Sequence, residues 1–99
     1  MNYRKLKFVR SKYGYSKTLA VMAKNEDDSP YGVATVYLEG QSETLAADEA
    51  FVDTNNWPSV DEQLVKLGLA EVVPDKVGQS GFCLYPAMKF KLDKIPSVC

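Results

Sequence analysis

Apolar and polar positions alternate from the start of the chain. Over residues 3–10, Leu6 and Phe8 alternate with Lys5, Lys7 and Val9, the pattern of a strand with one half-buried face. Tyr13-Gly14-Tyr15-Ser16 reads as a turn. Alternation resumes over 17–24, with Leu19, Val21 and Ala23 on one face and Ala20 and Met22 on the other, so both faces are apolar and the strand is expected to be central. Asn25-Glu26-Asp27-Asp28-Ser29-Pro30 is a loop by composition, its proline placed just before the next strand, where a missing amide costs least. Residues 31–38, rich in β-branched and aromatic side chains, give the strongest strand signal of the chain. A short polar connection between two strands predicts an antiparallel hairpin.

Gly40-Gln41-Ser42-Glu43 turns the chain, and 49–53 reads as a short strand ending at Asp53-Thr54-Asn55-Asn56. A helix is predicted over about 60–67. Ser59 and Glu62 have capping-box spacing, Pro58 blocks extension backward, and Val60, Leu64 and Leu67 make one buried stripe. Gly68 suits the residue that stops it. Residues 69–73 form a short strand ended by Pro74, 75–81 read as a flexible connection, and a last strand covers about 82–92. Pro86 within it predicts an edge position or a bulge. The fold class expected is α+β: one mostly antiparallel sheet of five or six strands with one short helix packed on a face. The single domain 1–99 would comprise N-terminal β-hairpins (3–38), a helix-containing segment (49–73) and the C-terminal strand (82–92). An open edge strand would permit a weak dimer, so monomer or weak dimer is expected.

Composition narrows the chemistry. Ninety-nine residues, 45% apolar and 25% charged, suit one folded core with no room for a second lobe. No stretch approaches the roughly 18 apolar residues of a membrane span, and the basic N-terminus lacks the apolar segment of a signal peptide. A mature, cytoplasmic chain with no membrane contact is expected. A small secreted scaffold would carry more than the two cysteines present, so Cys83 reads as a buried free thiol and Cys99 as an exposed one at the chain end. Histidine is absent, which removes Ser-His-Asp and Cys-His catalysis and, with only two cysteines, the usual zinc sites. The six glycines form no phosphate loop. No catalytic residue, metal or cofactor is therefore expected, although carboxylate-pair or lysine chemistry, in an uncharacterised small enzyme, stays open.

Two segments invite a site. Ser80-Gly81-Phe82-Cys83-Leu84-Tyr85-Pro86 offers Ser80 or Cys83 as a nucleophile, but no base lies near in sequence, and packing of Phe82, Leu84 and Tyr85 into the core is the expectation. Asp53-Thr54-Asn55-Asn56-Trp57-Pro58 gathers turn formers around the single tryptophan, so a structural turn is expected, with a ligand pocket as the alternative. Trp57 would then be a staple or lid at the helix start.

Charge is segregated along the chain. Residues 1–25 hold seven bases and no acid, 26–75 hold twelve acids and one lysine, and 76–99 hold four lysines and one acid. Three readings follow. Glu26, Asp27, Asp28, Asp48 and Glu49 could form an acidic surface that binds a basic protein groove. Lys5, Lys7, Lys89 and Lys91, if the first and last strands pair, could form a basic face near Tyr3 that holds single-stranded nucleic acid. Or both sets are solvated faces that attract each other within the fold.

The segments Ala50-Phe51-Val52-Asp53-Thr54-Asn55-Asn56, Gly68-Leu69-Ala70 and Gly78-Gln79-Ser80-Gly81-Phe82-Cys83-Leu84-Tyr85-Pro86 together resemble a family of small bacterial proteins of unknown function. Its members are typically encoded on conjugative transposons, plasmids and prophages. The resemblance covers about residues 30–92. It carries over no catalytic residues, and it implies an accessory role such as inhibition of a host defence protein. The leading expectation is a non-catalytic protein of a mobile genetic element that binds another protein; a nucleic-acid-binding module comes second.

Overall fold

In the computed structural model, residues 6–13 and 18–97 are described. The turn expected at 13–16, the Tyr3 and Lys5 end of the basic face, and Cys99 fall wholly or mostly outside them. Among the described residues, seven strands and one helix follow in order: β1 (Lys7–Lys12), β2 (Leu19–Lys24), β3 (Pro30–Val33), β4 (Thr35–Val36), β5 (Glu49–Val52), α1 (Val60–Lys66), β6 (Ala70–Ser80) and β7 (Cys83–Phe90). Short 3-10 turns lie at Ser42–Thr44 and Leu92–Lys94. No helix among the described residues is long and apolar enough to cross a membrane.

The class is α+β and the pairing antiparallel, but the strands form two sheets: β1-β2-β3, and β4-β5-β7-β6. The single sheet of five or six strands is thus corrected, and the cause lies at Ala34. The apolar run 31–38 is not one strand. The Ala34 amide donates to the Val21 carbonyl (2.9 Å), while its own carbonyl accepts from the Asp53 amide (2.8 Å). One residue therefore divides its backbone groups between the two sheets. Thr35 supports the switch, its buried hydroxyl accepting from the Val21 amide at 3.1 Å. A uniform alternation of apolar residues carries no sign of such a change of partner.

The expected connection at 75–81 is also strand. β6 pairs with β7 from Ala70↔Phe90 to Val72↔Met88 and again from Val77↔Pro86 to Ser80↔Cys83. Between these ladders the β6 chain takes five steps against two on β7, and the bulge absorbs Pro74, which has no amide to offer a ladder. Pro86 does not mark an edge, because β7 lies between β5 and β6. It sits beside the bulge and beyond the last β5 pair, Phe51↔Ala87, where its missing amide breaks no rung.

The helix begins and ends by different devices. Ser59 has φ 68° and makes no side-chain cap bond, so the predicted capping box is not formed. In that left-handed conformation the residue departs from the extended backbone from which a cap hydroxyl reaches the first-turn amides. The stop is as predicted: Gly68 (φ 72°) donates to Val65 O and Leu69 donates to Leu64 O, both at 3.0 Å. This double closure needs a left-handed residue at position 68, which glycine adopts without a Cβ penalty. Val60 and Leu64 are buried and Leu67 half-buried, as the stripe required.

The main core joins Val21, Val52, Leu64, Met88, Phe90 and Ile95 between the two sheets and the helix. A smaller cluster, Leu38, Phe51, Tyr85 and Ala87, fills the opposite face of the four-stranded sheet. Because neighbours along β5 and β7 point to opposite faces, the centre of this sheet is buried on both sides. Beyond β7 the chain brings Ile95 into the core, and Pro96 O accepts from the Arg10 amide (2.9 Å), covering the outer edge of β1.

Candidate functional site

The β6–β7 hairpin holds the most unusual surface. From Val77 to Met88 there is no charged residue, in a chain that is 25% charged. Gly81 takes φ 60° at the first position of a two-residue loop, as hairpins of this type require, and Phe82 occupies the second. Phe82 is fully exposed, Leu84 is 60% exposed and Val77 57%. Pairing of Val77 with Pro86 and of Gln79 with Leu84 places Val77 and Leu84 on one face of the ribbon, with Phe82 at its tip. The expected core role of Phe82 and Leu84 is thus overturned, while Tyr85, on the opposite face, is buried as expected. The hairpin runs past the end of the core, so its outward face is exposed. Cys83 is a half-buried free thiol, not a buried one. It lies beside Tyr85, whose phenol is raised above its usual value by burial and then by the neighbouring Cys83 and Asp53.

The hairpin offers a face and not an edge. The Gln41 amide donates to Gln79 O at 2.8 Å and accepts from Gln79 N at 2.9 Å, so a side chain occupies the outer rung of β6. The bulge at 73–76 disrupts the remainder of that edge.

Next to the hairpin lies a cavity of about 520 Å³ lined by Tyr31, Val33, Asp53, Asn56, Trp57 and Pro58. The turn that forms it is built by Asp53. One carboxylate oxygen accepts from the Asn56 amide (3.2 Å), the other from the Asn56 side chain (3.0 Å), and the Asp53 carbonyl accepts from the Trp57 amide (3.0 Å). Trp57 is thereby set against Tyr31, with centroids 5.2 Å apart and planes at 56°, and is backed by Phe8 at 6.2 Å and 17°. Both expectations for this segment meet here: the turn is structural, and it walls a pocket. Phe51 pairs with Ala87, so two residues further Asp53 is level with Tyr85, and pocket and hairpin share one end of the molecule.

The charged candidates fall elsewhere. Glu26, Asp27 and Asp28 are exposed in the β2–β3 turn; Asp48 and Glu49 lie at the start of β5, in the other sheet. Ser29 donates to Asp27 through its hydroxyl (2.6 Å) and amide (3.0 Å), which hold that carboxyl below its ordinary value. The basic candidates divide likewise. β1 pairs with β2 and not with β7, so Lys7 lies in one sheet and Lys89 at the far side in the other. The two sets meet as partners: Lys7 with Asp28 at 3.1 Å, Lys89 with Asp48 at 3.9 Å. Glu49 takes Lys76 at 2.8 Å, and Lys91 takes Glu71 at 3.8 Å.

The Lys76 ammonium, then the Ala46 amide, hold the Glu49 carboxyl below its ordinary 4.5. A carboxyl lowered on folding stabilises the native state above its unfolded value, and the contribution is lost as pH falls through the folded value. Lys76→Met is therefore expected to cost about 1 kcal/mol or less at neutral pH, since solvent screens Lys76. The gap to the parent should close as the pH of urea denaturation is lowered below 4.5 and through the folded value of Glu49. A gap independent of pH would assign the loss to packing instead.

A family profile described as "Domain of unknown function (DUF4313)" matches residues 6–99. The chain belongs to the DUF4313 family. The match includes the N-terminal hairpin, outside the segments on which the resemblance rested. No curated protein and no solved structure matches the chain.

In this DUF4313 chain the residues that sequence reasoning missed are Phe82, Leu84 and Val77 as surface, and Tyr31 as the partner of Trp57. The charge-free run 77–88 was a legible signal for the first three, since a strand passing through solvent normally carries charge on its outer face. Tyr31 had none, because its meeting with Trp57 depends on the Asp53 turn.

Proposed function

We propose that this DUF4313 chain acts by binding another protein, without making or breaking bonds, and that the charge-free hairpin end is its contact surface. The observation that supports this is the exposed face of Phe82, Leu84 and Val77. Interface centres are depleted in charge and enriched in aromatic residues, and a protein that works alone gains nothing from an aromatic ring held in water. The acidic residues Glu26, Asp27, Asp28, Asp48 and Glu49 would then contribute long-range steering, not the anchor. The genetic setting that the family resemblance implies makes a host defence protein in the cytoplasm the partner class to examine first.

The test compares three forms of the tagged full chain in a pull-down from host lysate. Phe82→Ser/Leu84→Ser should lower retention of the captured protein by about tenfold or more, as truncated anchors do. Its melting temperature should not change, because neither side chain is in the core. Charge reversal at the five acidic residues should leave retention within about twofold at physiological salt. If the reversal abolishes capture and the hairpin variant does not, the acidic surface is the interface. Retention of oligonucleotide with a steep salt dependence would replace protein binding by the basic-face reading.

A further inference from the structure

We propose that the pocket formed by Tyr31, Trp57 and Asp53 receives an arginine side chain of the partner protein. This deepens the proposed function and rests on its reading of this end of the molecule as a protein contact.

Three observations lead to a cation. Tyr31 and Trp57, their ring centroids 5.2 Å apart and their planes inclined at 56°, both line one cavity. An aromatic face is the negative side of its quadrupole, and tryptophan attracts cations most strongly. Asp53 lines the same cavity, and each of its oxygens accepts one bond from Asn56. A carboxylate has about four acceptor positions, so each oxygen retains capacity for a further donor. Finally, among the described residues that line the cavity the one charged group is the Asp53 carboxylate, with no base beside it. A cation entering the cavity meets complementary charge, and an anion is repelled.

Among cationic groups, guanidinium fits this combination best. It is planar, so it stacks on an indole face, and its forked donors can address two carboxylate oxygens at once. Ammonium is a compact, strongly hydrated charge that would leave the flat wall unused. Arginine is also enriched at interface anchors.

Trp57 is the single tryptophan, so its emission reports the cavity directly. The full chain is titrated with three peptides, acetyl-Gly-Arg-Gly-amide and the same peptide with citrulline or lysine in place of arginine. The arginine peptide is expected to change Trp57 emission saturably and to bind about tenfold more tightly than the citrulline isostere, with lysine between them. Asp53→Asn should remove most of the arginine preference. Tyr31→Leu, which leaves the Asp53 turn untouched, should weaken the arginine peptide several-fold and is the control should Asp53→Asn disturb the turn. Equal binding of arginine and citrulline peptides, or no saturable change with any of them, overturns the proposal. Lysine binding more tightly than arginine overturns the assignment to guanidinium. Capture of a protein that depends on Phe82 and Leu84 while no peptide binds would sink the pocket and keep the proposed function. Arginine binding that depends on Asp53, together with capture undiminished in Phe82→Ser/Leu84→Ser, would support the pocket and overturn the hairpin reading.

Discussion

Phe90→Ala is expected to cost about 3–5 kcal/mol of folding stability, as removal of a buried aromatic ring does. Phe90 is among the largest fully buried side chains and lies on the β7 face that packs on the helix and the three-stranded sheet. Its backbone is fixed independently, its amide donating to Asp48 O at 2.7 Å, so the chain has little freedom to collapse into the space left behind. Domains of this size are stable by about 5–15 kcal/mol, so the variant should lose about a fifth or more of its stability or fail to accumulate folded. Urea denaturation followed by Trp57 emission measures the loss. Phe82→Ala, in the same hairpin, should change stability by no more than about 0.5 kcal/mol, since its ring touches no core. Comparable losses for the two phenylalanines would contradict the packing described.

The second large effect concerns a glycine. In a strand, Gly→Ala is ordinarily neutral or favourable by about 0.5–1 kcal/mol. At Gly78 the opposite is expected. The residue is buried on β6, and a Cβ there would overlap the end of the Leu38 side chain and come within 3.0 Å of Phe51 Cε1. Gly78→Ala should therefore destabilise by about 1–3 kcal/mol through overpacking. The mechanism is separable from a simple loss of strand by a double-mutant cycle. Leu38→Ala alone should cost about 2–4 kcal/mol as a cavity. Together the two substitutions should cost at least about 1 kcal/mol less than their sum, because each makes room for or fills the other. Strict additivity would show that the two residues do not share the space.

The charge pattern shows how a clear linear signal can mislead. Seven bases at one end and an acid-rich middle suggest two opposed surfaces. In the fold, Asp28 of the β2–β3 turn lies against Lys7, and Asp48 beside Lys89, so part of the segregated charge meets in ion pairs. Exposed pairs of this kind contribute little stability, and their main effect is to remove net charge from both faces. The hairpin shows the converse error. An apolar run was read as core because burial is the commonest fate of Phe and Leu, yet whether a strand end is covered depends on how far its neighbours extend. β5 ends at Val52, one residue beyond its last pair with β7, and the outward face of Leu84 is left without a sheet partner on that side.

What the sequence determined by itself was local. Alternation located β1, β2 and β5, the Val60-Leu64-Leu67 spacing located the helix, and Gly68 located its end, because each depends on backbone preferences and side-chain periodicity within a few residues. Absence of histidine bounded the chemistry without any structure at all. The tertiary structure alone decided that Ala34 divides one apolar run between two sheets, that β6 continues through a proline-bearing bulge, and that Trp57 meets Tyr31 beside an uncovered hairpin. Those outcomes depend on which backbone groups find partners across long loops and on where a neighbouring strand stops, and neither is written in the periodicity of any one segment.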